Sequence, residues 1–261
     1  MDRRVVEVAR EAMARRRLPG LLIAVDHRGG TELWHEGVDA TGAPLTGETL
    51  LPVASLTKLA TALAVLRLVD DDLVRPDDRL SLHLPGAAAA RLGVTVRRLL
   101  AHTAGLPHDV GPATATEQYN SAAWRSLALP WSGLIADPRG ALTLARAFQD
   151  AFLQAATGLA AVADQSEGLS GGLIGTLEWS PCPWGLGPEL RGTKGPRHWA
   201  PATASPGSWG HAGASGCIAW CDPAADVAWF LAGTRTTRSG WLLDAGPRVG
   251  AALLEAYGRP T

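Results

Sequence analysis

Hydrophobic and polar positions divide the chain into alternating helical and extended stretches. Residues 2–17 set Val5, Val6, Ala9, Ala12 and Met13 among charged positions at helical spacing, and Pro19-Gly20 stops that run. The apolar stretch Leu21 to Asp26, the turn Arg28-Gly29-Gly30 and a second run from Glu32 to Val38 predict a β-hairpin. A polar connection over residues 39–49 leads to Pro52-Val53-Ala54-Ser55-Leu56-Thr57-Lys58, from which a helix runs from Ser55 to about Asp71. Asp70-Asp71-Asp72 opposes the macrodipole at a helix C-terminus, so the end of that helix stays open. Thr95 is placed to cap a short helix ending at Gly105. Residues 107–118 read as loop, Ala122 to Leu127 as a short helix, and Gly140 to Leu159 as one amphipathic helix carrying Leu142, Leu144, Ala147, Phe148, Ala151 and Phe152. From Gly168 to Gly210 the chain is rich in Gly, Pro and Trp and lacks periodicity, which suits loops packed on a scaffold. A strand begins in the run Trp209 to Trp220. The chain then turns at Asp222 to Asp226, returns over Val227 to Ala232, and closes with an apolar helix from Pro247 to Tyr257.

Strands thus lie at both ends of the chain and helices fill the middle. The expected architecture is α/β of the α+β kind: an antiparallel sheet from the N- and C-terminal strands, with the first and last helices packed on it. One domain over 1–261 accommodates this, with a sheet lobe of about 1–50 and 205–261 and a helical lobe of about 51–204. The Ser55 helix falls between the two, where clefts form.

Composition narrows the classes of function. A chain of 261 residues with 46% hydrophobic and 19% charged residues suits a soluble globular protein, and a net charge of −1 gives no pull toward nucleic acid or anionic membrane. The basic run Arg3 to Arg17 is interrupted by Glu7 and Glu11 and reads as a solvated helix face. The first 17 residues lack the apolar core of a secretory signal, and no uncharged apolar run reaches the ~18 residues of a membrane span. Three cysteines, Cys182, Cys217 and Cys221, argue for free thiols in a reducing, cytoplasmic setting. Cys217 and Cys221 share a strand face too far apart to bridge. No zinc-like spacing occurs, so neither metal nor cofactor is expected. The expected partner is a small-molecule substrate; the oligomeric state is left open.

Candidate chemistry concentrates at Ser55 and Lys58. Three residues apart on a helix, their side chains share one face. A serine is a weak nucleophile until a base takes its proton, and a lysine can take it only if its amine is partly neutral. Arginine cannot. Of 24 basic residues only Lys58 and Lys194 are lysines, so a lysine at this spacing carries more information than the bare Ser-x-x-Lys pattern of penicillin-interacting enzymes. The same residues also suit an N-capping serine followed by a solvated lysine.

Three runs resemble the serine β-lactamase/penicillin-binding-protein superfamily, in its class C-like, esterase-containing branch. They are Val53 to Lys58, Thr95 to Pro107, and Gly210-His211-Ala212-Gly213 leading into Cys221-Asp222-Pro223. The resemblance implies that Ser55 is the acylated nucleophile and Lys58 the group that accepts or relays its proton. It implies that His211, Gly213 and Ala214 line the substrate cleft. The backbone N–H groups of Ser55 and Ala214 would form the oxyanion hole. Relatives often carry Lys where this chain has His211. The superfamily's Tyr-x-Asn element is not evident; Tyr119-Asn120-Ser121 is the nearest candidate, and Tyr119 is the expected third catalytic group. The stretch after Pro107 is short, as if much of the helical lobe were missing. The implied activity is hydrolysis of small esters, amides or β-lactams through an acyl-enzyme. A catalytically weak or inactive binding relative is the alternative.

Other residues carry competing readings. His102 is expected to be structural, bonding loop backbone near Gly105. Lys194, in Thr193-Lys194-Gly195, is expected to be solvated. Trp184, Trp199 and Trp209 suit either a pocket wall or the core. Gly168-Leu169-Ser170-Gly171-Gly172 matches the nucleophile elbow of α/β-hydrolases, which makes Ser170 a second candidate nucleophile if a strand precedes it and a helix follows.

Overall fold

A computed structural model describes residues 1–106, 126, 129–173 and 177–259. The first helix, α1 (Arg3–Arg16), starts because the Asp2 carboxylate accepts from the Arg4 and Val5 backbone N–H groups. It ends at Arg17, which takes a left-handed backbone conformation. Its buried face is Val5, Val8, Ala9 and Ala12. The expected hairpin follows as β1 (Gly20–His27) and β2 (Gly30–Gly37).

Six antiparallel strands make the main sheet, in the order β2-β1-β10-β9-β8-β7. Here β7 is Glu189–Leu190, β8 Trp209–Gly213, β9 Cys217–Asp222 and β10 Val227–Gly233. The sequence suggests one long run through Trp209 to Trp220. The structure folds it into β8 and β9, because the chain turns back at Gly216, whose φ of +98° a side chain would resist. β1 pairs directly with β10, with Ile23 opposite Leu231, so the two ends of the chain meet in the sheet.

Both faces of the sheet are covered, and strict alternation sorts the side chains. Leu21, Ile23 and Val25 of β1, with Trp220, Trp229 and Leu231, pack under α1 and the last helix, α7 (Trp241–Tyr257). Leu22, Ala24, Ala219, Phe230, Cys217 and Cys221 face the helical layer. Burial on both faces explains why these strands read as continuous apolar runs. The last helix begins at Trp241 rather than at Pro247. Trp241 and Leu242 are fully buried, so its apolar face extends upstream, and Pro247 lies within it.

The helical layer is built on α2 (Thr57–Asp70), which contributes Leu59, Ala62, Leu63 and Leu66 to the second core. Helix α3 (Leu80–His83) and α4 (Val96–Leu100) are short. Thr95 caps α4 as expected, although that helix stops at Leu100 and not near Gly105. The single helix expected over Gly140 to Leu159 is two: α5 (Pro138–Arg146), capped by Asp137, and α6 (Ala155–Ala161). A long-range contact fixes the start of the second helix. The Gln154 N–H donates to the Asp70 carboxylate at 2.9 Å and the Gln154 amide to the Asp70 carbonyl at 3.0 Å, just ahead of α6. Leu153 is buried where the helical register called for Phe152, which is exposed. Among the described residues no helix is long and apolar enough to cross a membrane.

Candidate active site

Ser55 lies where a short strand passes into α2. β3 (Leu51–Pro52) pairs with β4 (Ile135–Ala136), and residues Ala54–Leu56 then form a 3-10 turn before the α-helix starts at Thr57. The nucleophile candidate therefore sits one turn ahead of the regular helix and not in its first turn. Ala54, immediately before it, is buried with φ +45°, a left-handed conformation that costs a non-glycine residue roughly 1–2 kcal/mol. Thr57 holds this backbone: its Oγ1 donates to the Ala54 carbonyl at 2.6 Å and accepts from the Leu134 N–H at 3.0 Å.

Lys58 Nζ lies 2.9 Å from Ser55 Oγ and donates to the Trp131 carbonyl at 3.0 Å. Burial lowers the amine from its ordinary 10.5 to about 8. The solvated-lysine reading therefore fails. Residues 130–136 act as a strap along the serine turn. Thr61 Oγ1 bonds the Pro130 carbonyl, and the Val53 N–H donates to the Leu134 carbonyl at 3.1 Å. The strap gave no sequence signal, because its contribution to Lys58 is a main-chain carbonyl that any residue supplies.

Opposite the serine turn stands β8. A Cβ added at Gly213 would collide with the Val53 carbonyl, lie 2.6 Å from Cys217 Sγ, and lie 3.3 Å from Leu56 Cδ1. Glycine at this position is what lets β8 touch the turn carrying Ser55. Strand alternation puts His211 on the same face as Gly213. His211 is 8% exposed, its Nδ1 is 2.7 Å from the Ala212 carbonyl, and its buried Nε2 has no hydrogen-bond partner among the described residues. Desolvation above all, then the charges of Lys58 and His102, lowers its pKa to about 3. Trp184 stands edge-on to His211 at 5.5 Å, and the His102 ring lies 4.5 Å from Trp184 and 6.5 Å from His211. His102, at φ +56°, presents an exposed side chain on this wall. Of the three tryptophans only Trp184 belongs here; Trp199 and Trp209 are core residues. Ala214 follows Gly213 beyond the end of β8, and its carbonyl accepts from the Thr237 N–H at 3.1 Å. Tyr119 lies outside the described residues.

Two expectations are corrected. Lys194 is not solvated: it is 4% exposed, and Nζ reaches Glu189 at 2.8 Å, the Leu190 carbonyl at 2.8 Å and the Pro183 carbonyl at 3.3 Å. It also lies over the Trp179 and Trp184 rings. His198 Nε2 contacts the same Glu189 carboxylate at 3.0 Å. Although burial opposes ionisation of Glu189, Lys194 and His198 outweigh it and hold the carboxyl well below the usual range. This cluster forms one side of the support for Trp184. Ser170 is not at a nucleophile elbow. A strand, β5 (Gly171–Leu173), follows it where a helix is required, and it bonds Ser180 Oγ at 2.8 Å. Among the described residues no cluster of His, Cys, Asp or Glu suits a metal ion.

An antiparallel sheet sandwiched between helices, with a Ser/Lys pair at the head of a helix that abuts one strand, defines the β-lactamase/transpeptidase type of architecture. The chain belongs to the Beta-lactamase family, whose profile matches residues 5–161. It is 36% identical over 98 residues to penicillin-binding protein 4 of Amycolatopsis lactamdurans, a match covering 35% of this chain and 26% of that relative. The solved β-lactamase Mb2281c of Mycobacterium bovis superposes with a TM-score of 0.73 at 25% identity, over 96% of this chain and 100% of that one. EstCE1, a hydrolase with promiscuous acyltransferase activity, shares the fold at a TM-score of 0.68 and 16% identity, over 93% of this chain and 97% of its own.

Proposed function

We propose that the protein is a serine hydrolase that acts on small esters, amides or β-lactams through an acyl-enzyme at Ser55. One observation carries this reading: the Lys58 amine, lowered to about 8, stands 2.9 Å from Ser55 Oγ. In the neutral form it accepts the hydroxyl proton as Oγ bonds the substrate carbonyl carbon. The carbonyl oxygen becomes an oxyanion facing the Ser55 and Ala214 N–H groups, a stabilisation worth roughly 3–4 kcal/mol per donor. Collapse breaks the bond to the leaving group, which takes the proton from Lys58. Water then attacks the acyl-enzyme, gives its proton to the same amine, and releases the acid as Ser55 recovers its proton. Tyr119 is the proposed third participant in these transfers. The hydrolase names among the structural neighbours support this choice of chemistry, and their differing substrates leave the choice of substrate to experiment.

The test is labelling with a fluorophosphonate probe followed by peptide mass spectrometry, alongside turnover of a chromogenic ester. Label on Ser55, and loss of both label and turnover in Ser55→Ala, is the expected result. Full turnover in Ser55→Ala would end the proposal.

A further inference from the structure

The orphaned nitrogen of His211 bears on which acyl groups the site takes. Nδ1 faces the Ala212 carbonyl at 2.7 Å and so carries the ring proton, which leaves Nε2 as a bare lone pair. Among the described residues that lone pair is buried and has no donor, on a residue 8% exposed. The ring lies on the β8 face that meets the Ser55 turn, under the edge of Trp184. A buried acceptor without a donor is a cost the fold does not recover by itself. A substrate that brings a donor removes that cost.

We propose that His211 makes this site select acyl groups bearing an uncharged hydrogen-bond donor, such as a carboxamide or hydroxyl, over acyl groups bearing a carboxylate at the same place. A carboxylate offers only lone pairs and would face the Nε2 lone pair with its charge desolvated. The ring stays neutral across the working range, since its pKa of about 3 leaves it no positive charge to offer an anion. The amine of Lys58, whose charge also acts on His211, is already engaged by Ser55 Oγ and the Trp131 carbonyl. Lys194, the second lysine, is committed to Glu189.

This inference rests on acylation of Ser55, and its test keeps the two apart. The p-nitrophenyl monoesters of adipic acid and of adipamic acid differ only in a terminal carboxylate or carboxamide. Their kcat/KM values, corrected for spontaneous hydrolysis, are compared at about pH 8, where an ordinary imidazole is neutral. The wild-type protein is expected to favour the adipamate ester by roughly tenfold or more. His211→Leu should bring the ratio toward unity and His211→Lys below it. Fluorophosphonate labelling of Ser55 reports that each variant is folded. A wild-type preference for the adipate ester overturns the inference, as does an unchanged ratio in a labelled His211→Leu variant. No label on wild-type Ser55 overturns the hydrolase reading and this inference with it.

Discussion

Replacing Lys58 with arginine keeps the charge and removes the base. At pH 7 an amine titrating at the ordinary 10.5 is neutral in roughly 0.03% of molecules, whereas one at about 8 is neutral in roughly 10%. The depression thus raises the supply of competent base by roughly 300-fold, equivalent to about 3 kcal/mol. It comes from burial alone, in the space between the serine turn and the strap. A guanidinium does not deprotonate, so Lys58→Arg should lower kcat/KM by roughly 10²–10⁴-fold while the fold is kept. The sign of the pH dependence follows. The charged amine is inactive, so kcat/KM of the wild type should climb about tenfold per pH unit in the acid range, bend at about 8 and level above it. Initial rates of ester hydrolysis give the profile, with circular dichroism to show that the fold holds throughout. A flat profile, a bend near the ordinary lysine value, or an active Lys58→Arg would refute the assignment of Lys58 as the base.

Other substitutions probe the supports. Gly213→Ala places a methyl group against the Val53 carbonyl and Cys217 Sγ, so it should push β8 off the serine turn, cost roughly 1–3 kcal/mol in denaturant unfolding, and reduce turnover. Thr57→Val removes the bonds to the Ala54 carbonyl and from the Leu134 N–H; a loss of roughly 1–3 kcal/mol is expected by the same assay. Lys194→Met leaves the buried Glu189 carboxylate without its ammonium partner and should cost roughly 3–5 kcal/mol. Because the folded Glu189 pKa is depressed, its contribution is present above the unfolded carboxyl value of about 4.3 and is lost as pH falls below it, so the wild type should lose stability in acid over that window. Tyr119→Phe should lower kcat/KM by roughly 10²-fold, and an unchanged value would remove Tyr119 from the reaction.

Much of the fold was legible because local signals agreed with the tertiary outcome. The apolar spacing over residues 2–17, and two apolar runs flanking Arg28-Gly29-Gly30, correctly predicted α1 and the first hairpin. Ser55 and Lys58 stood out through the scarcity of lysine, and the structure brings them within hydrogen-bond distance. The errors arose where distant partners decide. Periodicity carried the expected helix straight through residues 147–154, where the chain leaves the helix after Arg146 and Gln154 is held by Asp70. Lys194 looked solvated because a charged residue in a Gly- and Pro-rich stretch usually is. Its sequence neighbour Glu189, among tryptophans, was the available sign of a buried pair. The left-handed Ala54 and the Trp131 carbonyl belong to the backbone, where side-chain identity says little.

The pairing of β1 with β10 also bears on how the molecule is made. During synthesis β1 emerges well before β10, its hydrogen-bonding partner in the middle of the sheet. Until then the bare edge of the first hairpin, and the apolar faces that β9 and β10 will cover, have no cover, which is the condition under which nascent chains invite chaperones. Contacts between segments so far apart in sequence also slow the search for the native state. The sheet that backs the serine turn closes only with Val227–Gly233, so a translation product cut short before that strand carries Ser55 and Lys58 without the wall that positions a substrate against them.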